Sequence, residues 1–390
     1  MVQYPRLDFF LQERDYDGYL IDASSENANQ KYISGFDAPD PFITLYTVDG
    51  VKMLVSGLEY GRACKQSRSD VIKRLSEYKF EELLVEKGSN DARIHAIAEF
   101  ILEVGDGGKL VVPGDFPIET ADGLRLKGIE IEIDRSGELS KMRSCKKEEE
   151  IEQIVQVQRA TEEAMSIAEK MISTAQIKGG FLYKNQEVLT SEMVKMEIEL
   201  ALIKRGCDAG DTIVASGEQG ADPHHSGDGP LIPDTPIIID IFPKNKVNGY
   251  HADMTRTIVK GTPSSEVLKR YAVTVEAMET AVGMIRPGVS GDKIHNVVCD
   301  IYEKEGYSTL RSDSSTSVGF IHSTGHGVGL DIHEFPRINS EKVILEVGNV
   351  ITVEPGLYDP MVGGIRMEDL VLVTENGYEN LTRYPKKILV

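Results

Sequence analysis

At 390 residues the chain is too long for one ordinary hydrophobic core, so two domains are expected. Its 41% hydrophobic and 27% charged residues are those of a globular protein. A formal net charge of −20 excludes a dedicated nucleic-acid or acidic-membrane binder, which needs a positive footprint.

No apolar run is long enough to span a bilayer, and the first eight residues lack the basic and apolar regions of a signal peptide. Cys64, Cys145, Cys207 and Cys299 are far apart in sequence and form no zinc-type or redox-type pair, which suits reduced thiols. A cytoplasmic protein with no membrane partner is the expectation.

In chain order, residues 18–21 read as a short buried strand, and residues 43–55 as two strands around the Asp49-Gly50 turn. Residues 91–104 carry helical apolar spacing that stops at Gly105. Residues 109–112 and 129–133 add strands. This is an α/β pattern with a mostly parallel or mixed sheet, and it holds no Gly-rich phosphate loop. Residues 146–150 form a dense charged run, read as the solvated first turn of a long helix with an apolar stripe at Ile151, Ile154, Val155, Val157 and Ala160. The domain boundary is placed near residue 140, giving domains 1–140 and 141–390. The second domain mixes helices at residues 190–205, 264–285 and 290–305 with strands at 212–215, 236–242, 256–259, 350–353 and 370–374.

The most informative stretch is Ser323-Thr324-Gly325-His326-Gly327-Val328-Gly329-Leu330-Asp331-Ile332-His333-Glu334. Histidine is the commonest metal ligand, and flanking glycines let backbone approach a bound group closely. Four acids in strand-like settings accompany it. Asp240 interrupts the run Ile237-Ile238-Ile239-Asp240-Ile241-Phe242, where a carboxylate is costly unless it is paired or metal-bound. Asp253 follows a turn-rich segment, so Asp240 and Asp253 are expected on two arms of one hairpin. Glu354 ends the run Val350-Ile351-Thr352-Val353 ahead of Pro355-Gly356, and Glu368 shares a strand face with Arg366 by alternation. Each acid alone has a plain alternative: a salt bridge for Asp240, Arg256 opposite Asp253, a surface Arg366–Glu368 pair. Together, four carboxylates and a histidine suit hard or borderline divalent ions, and two such ions sharing carboxylates support hydrolysis. His224, His225, His322 and His333 lie in the same half, whereas His95, His251 and His295 are read as structural or surface residues.

Residues 236–257, 324–334, 351–358 and 364–375 resemble, in order and character, the metal-ligand segments of the methionine aminopeptidase, prolidase and aminopeptidase P superfamily. Residues 29–36 resemble part of the N-terminal domain of its prolidase and creatinase branch. The resemblance implies an α/β (α+β) architecture, with an N-terminal creatinase/prolidase-type domain ahead of a C-terminal pita-bread domain. It implies two divalent metal ions, Mn or Co first and Zn or Fe next, held by Asp240, Asp253, His326, Glu354 and Glu368. Asp253 and Glu368 would bridge them, His326 and Glu354 would complete one site, and Asp240 the other. His224, His333 and Glu354 take catalytic roles by the same resemblance: substrate contact, stabilisation of the tetrahedral intermediate and proton shuttling. His322, Arg337 and Arg366 are implied substrate contacts. The activity implied is hydrolysis of Xaa-Pro bonds in short proline-containing peptides, either in dipeptides or at the N-terminus of longer peptides, by a homodimer in which the first domain of one chain roofs the partner's site. Two departures stand out: a long hairpin carrying Phe242-Pro243-Lys244, and an atypical stretch at residues 176–188.

Overall fold

The computed structural model describes residues 4–390 apart from Asp106 and Ala209. The chain divides into two compact units, one ending at Arg143 and the other running Ser144–Val390. Among the described residues no helix is long and apolar enough to cross a membrane.

The first unit is built on six strands: β1 (Gly18–Ala23), β2 (Phe42–Thr47), β3 (Gly50–Val55), β4 (Val71–Arg74), β5 (Lys109–Val112) and β6 (Glu130–Ile133). Their order is β4-β3-β2-β1-β5-β6, antiparallel through β1, β2 and β3 and parallel at the two flanks. Leu20, Ile43, Leu45 and Leu110 pack under the helix Ser89–Val104, whose Ala96, Ile97, Phe100 and Ile101 face them. The turn residue Gly50 has φ +114°, a conformation that a side chain opposes.

The second unit opens with the helix Glu148–Ser173. Residues 176–188 form a three-stranded meander of β7 (Gln176–Lys178), β8 (Phe181–Lys184) and β9 (Glu187–Val188). Short β10 (Cys207–Asp208) pairs with β13 (Lys244–Asn245). Between them, β11 (Ile213–Ser216) and β12 (Ile237–Ile241) join β14 (Met254–Ile258) in an antiparallel sheet of order β11-β12-β14. The arms expected around Asp240 and Asp253 are β12 and β14, paired with Asp240 opposite Thr255.

The remaining strands are β15 (Gly325–Gly327), β16 (Glu334–Ile338), β17 (Val350–Val353), β18 (Gly356–Asp359), β19 (Gly363–Arg366), β20 (Asp369–Thr374) and β21 (Gly377–Asn380). Five of them form a sheet of order β16-β15-β17-β20-β21, while β18 and β19 pair separately. Ile351, Val353, Val371 and Val373 cover a core supplied by helices Ser265–Gly283 and Gly291–Lys304, through Ala277, Ala281, Ile294 and Val298. With Ile351 and Val353 committed to that core, period-two alternation sends Thr352 and Glu354 to the opposite face.

One sequence expectation is corrected here. The charged run at residues 146–150 is not all solvated turn: the helix starts at Glu148, and the Lys146 side chain is 1% exposed and bonded to Glu334. A buried partner distant in sequence outweighed the local charge pattern.

Candidate metal centre

Strand ends and strand-to-strand links deliver the acids to one place. Asp240 sits in β12 between Ile213 of β11 and Thr255 of β14. Asp253 immediately precedes β14, and Glu354 immediately follows β17. Glu368 lies in the two-residue break between β19 and β20, where its N–H donates to the Thr255 carbonyl at 3.1 Å. The Thr255 hydroxyl then donates to Glu368 Oε2 at 2.7 Å. His326 occupies the middle of β15, and its N–H donates to Thr352 Oγ1 at 3.1 Å.

These residues line a cavity of about 410 Å³ together with His224, His322, His333, Arg337 and Arg366. Every site residue nominated from the sequence therefore faces one space, with Ile213, Pro223, Phe242, Ile321 and Ile332 as its apolar wall. His225 is aside from it: its Nδ1 accepts from Gly227 N at 3.0 Å.

The charges are unbalanced. Arg366 Nη2 donates to Asp240 Oδ2 at 2.7 Å. The rest of that guanidinium is also occupied, by Thr255 Oγ1, Tyr358 Oη and the Pro223 carbonyl. Asp253, Glu354 and Glu368 pair with no lysine or arginine among the described residues. Burial, with Glu368 and Asp240 close by, pushes the Asp253 carboxyl well above its ordinary range. Burial, with Glu354 and Asp240 close by, does the same to Glu368. Glu354 is pushed up to about 7 by burial, against the pull of Arg366.

The histidines are arranged as neutral bases. His326 Nδ1 lies 3.1 Å from the Gly327 carbonyl, which can only accept, so Nδ1 carries the proton and Nε2 offers a lone pair. That Nε2 is 3.4 Å from Glu354 Oε1 and 3.7 Å from Asp253 Oδ2. Burial, aided by His333, lowers the His326 pKa to about 3. The His333 ring stands edge-on to His326 at 4.3 Å. His322 donates from Nδ1 to the Ser323 carbonyl at 2.7 Å and accepts at Nε2 from the Tyr358 hydroxyl at 2.9 Å.

This donor set fits a divalent cation. One ligand atom each from Asp253, His326 and Glu368 lie within 4.8 Å of one another. Asp240 Oδ1 and Asp253 Oδ1 are buried without a hydrogen-bond partner among the described residues, and a cation would satisfy both. Carboxylate oxygens with one imidazole suit Mn, Co, Fe or Zn.

Two features escaped the sequence reading. The glycines around His326 make room for the protein, not for a bound group. A Cβ on Gly325 would meet the Thr352 carbonyl at 2.0 Å, and one on Gly327 the Phe335 carbonyl at 2.4 Å. Tyr358, fully buried, links Arg366 to His322 through its hydroxyl. Its only sequence signal was a place inside a resembling segment. Thr255 was more legible, because alternation from Asp253 puts it on the acid's face.

The profile of metallopeptidase family M24 matches residues 152–375. The chain is 30% identical over 385 residues to the Xaa-Pro dipeptidase of Pyrococcus furiosus, covering 97% of each. It is similar to the solved prolidase of Pyrococcus horikoshii, with TM-score 0.80 and 27% identity over 98% of this chain and 99% of that one. It is similar also to the solved Xaa-Pro dipeptidase of Bacillus anthracis, with TM-score 0.81 and 25% identity over 99% and 98%. Both structural matches span both units, so the architecture of an N-terminal α/β domain followed by a pita-bread domain is shared with them.

Proposed function

The chain belongs to metallopeptidase family M24, and on that premise we propose that it hydrolyses Xaa-Pro dipeptides with divalent metal held in the cavity between Asp240 and Glu368. The observation that carries this reading is the surplus of buried and part-buried carboxylate: Asp240 is paired with Arg366, while Asp253, Glu354 and Glu368 gather round His326 Nε2 with no lysine or arginine paired to them among the described residues. Asp240, Asp253, His326, Glu354 and Glu368 would hold two ions, Mn or Co first. Bound there, divalent ions polarise a scissile carbonyl and activate water near neutral pH.

The chain's own residues do the rest. Arg337 is exposed and lines the cavity, and its guanidinium makes no ion pair among the described residues. Its permanent charge binds the C-terminal carboxylate of a dipeptide. His224 and His333, both exposed on the cavity wall, donate to the carbonyl oxygen as charge develops on it. The Glu354 carboxylate takes a proton from the attacking water and passes it to the departing proline nitrogen, a role its position beside His326 permits. Ile213, Phe242 and Ile332 give the proline ring and the preceding side chain an apolar, water-excluding wall. Arg366 serves mainly to hold Asp240, since its donors are already engaged.

A cytoplasmic homodimer is part of the proposal. In it the first unit of one chain would restrict peptide length at its partner's site, with residues 32–42, including Asp37, Pro39, Asp40 and Pro41, as the roof. A non-catalytic peptide-binding relative is disfavoured, because no carboxylate of the set has been replaced. The test is a metal-by-substrate panel: chelate, reload with Mn, Co, Zn or Fe, and compare Xaa-Pro dipeptides with longer Xaa-Pro peptides. Hydrolysis confined to dipeptides is expected. Failure of all four metals to restore any hydrolysis overturns the reading. Sedimentation of the intact chain decides the dimer.

A further inference from the structure

Lys146 stands two residues before the helix Glu148–Ser173, yet the helix start does not use its side chain: Glu150 reaches back to the Lys147 N–H instead. The Lys146 ammonium is bonded to Glu334, with side chains 1% and 4% exposed. The pair does not line the cavity. The Lys146 main chain is anchored as well, since its backbone N–H donates to the Gly348 carbonyl at 2.9 Å. Gly348 has φ +88°, and a Cβ there would meet the Lys146 carbonyl at 2.9 Å.

Glu334 follows His333 directly and pairs in register with Gly327, which follows His326 directly. Its carboxylate rests on Gly329, where a Cβ would meet Oε1 at 2.2 Å. The Gly329 carbonyl accepts from His251 N at 2.8 Å, two residues before Asp253. The segments bearing His326, His333 and Asp253 thus meet around one carboxylate fixed by one ammonium.

Desolvation offsets most of the attraction in a buried ion pair, so replacing both partners is tolerated where removing one is not. Stability alone gives little reason for the charges to be here. We propose that Lys146–Glu334 is a positioning pair: it fixes residues 328–333, and through them holds the His333 ring against His326. Its kinetic readout rests on the hydrolytic reading above.

The test uses the full chain with Lys146→Met alone and with Lys146→Met plus Glu334→Gln. The measurements are melting of the metal-free protein, bound metal, kcat and KM on an Xaa-Pro dipeptide, and the imidazole ¹H–¹⁵N spectrum. The single variant should melt lower. The double variant should regain most of that loss and bind metal as the parent does. Its kcat should nonetheless stay down about 10–100-fold, the size seen when groups orienting metal-site residues are removed, with KM little changed and the His333 resonances shifted. A double variant with parental kcat and parental His333 resonances overturns the proposal. Should that variant not fold, Glu334→Asp keeps the charge but withdraws it by one methylene. A lowered kcat at near-parental melting is then expected, and a parental kcat overturns the idea. If the parent itself cleaves no Xaa-Pro bond, the functional reading fails, while the His333 resonances still decide the positioning claim.

Discussion

Asp22 and Asp240 occupy the same kind of place in two different sheets. Each follows three apolar residues in a strand, and each is buried. Asp22, in β1, is fully answered: Arg93 donates to both its oxygens at 2.8 and 2.5 Å, and the Thr120 hydroxyl adds a third bond at 2.8 Å. Asp240, in β12, receives Arg366 on one oxygen and leaves the other buried and unmatched. Two further buried acids, Asp253 and Glu368, and the part-buried Glu354 share its cavity. An acid inside an apolar strand is therefore not itself the mark of a site. The mark is a local surplus of carboxylates that no lysine or arginine of the described residues answers.

The comparison breaks most sharply at the bridging candidates. Glu368→Gln or Asp253→Asn should lose bound metal and lower kcat/KM by roughly 10⁴-fold, since several kcal/mol of metal-derived stabilisation go with it. Elemental analysis alongside kinetics checks this. Full activity with full metal content in either variant would remove both residues from the site.

Next come the two arginines. Arg93→Met and Arg366→Met each leave a buried aspartate without its cation, at a cost of about 3–5 kcal/mol. Arg93 is 28% exposed, so its loss belongs at the lower end. Denaturant unfolding measures both. Only Arg366→Met should also weaken metal retention. Equal effects on metal binding would erase the distinction between the two acids.

The third test uses pH. Burial pushes the Glu354 carboxyl from 4.5 to about 7, so the folded, metal-free protein binds a proton that the unfolded chain has already released. The contribution of this group to stability falls as pH rises from about 4.5 to about 7, by about 1.4 kcal/mol per pH unit. His322 and His326, lowered to about 3, act in the opposite sense over an overlapping range, and Asp253 and Glu368, both raised by burial and in part by Glu354, act in the same sense, so the effect is read as a difference between variant and parent. The stability of metal-free Glu354→Gln relative to the parent should rise by roughly 2–3 kcal/mol between about pH 5 and about pH 7. A flat difference would remove Glu354 from the groups that hold a proton in the folded, metal-free protein.

The smallest effect belongs to Tyr358→Phe. It removes the hydroxyl between Arg366 and His322 and should cost about 1 kcal/mol in unfolding free energy. Metal content should stay parental. Loss of metal would show that Arg366 holds Asp240 only through Tyr358.

Much of this was legible beforehand. The hairpin arms around Asp240 and Asp253, the Glu354 strand tip and the helix starting after Thr190 all follow from local rules of alternation, turn chemistry and capping. Residues 176–188 were recognised as atypical, but not as a three-stranded meander, because its strands are two to four residues long and leave little periodicity to read.

What the sequence determined by itself was the inventory: which acids and histidines stand at strand ends, and in what order. Backbone periodicity and turns act over a few residues, and adjacent letters record them. What only the tertiary structure decided was the pairing. Arg366 goes to Asp240 rather than to Glu368 two residues away, Lys146 is buried against Glu334, and the glycines beside His326 admit neighbouring carbonyls. A long flexible cation can reach many acids, and the chain alone does not say which one the packing brings near. That choice separates a neutralised aspartate in one unit from a charged cavity in the other.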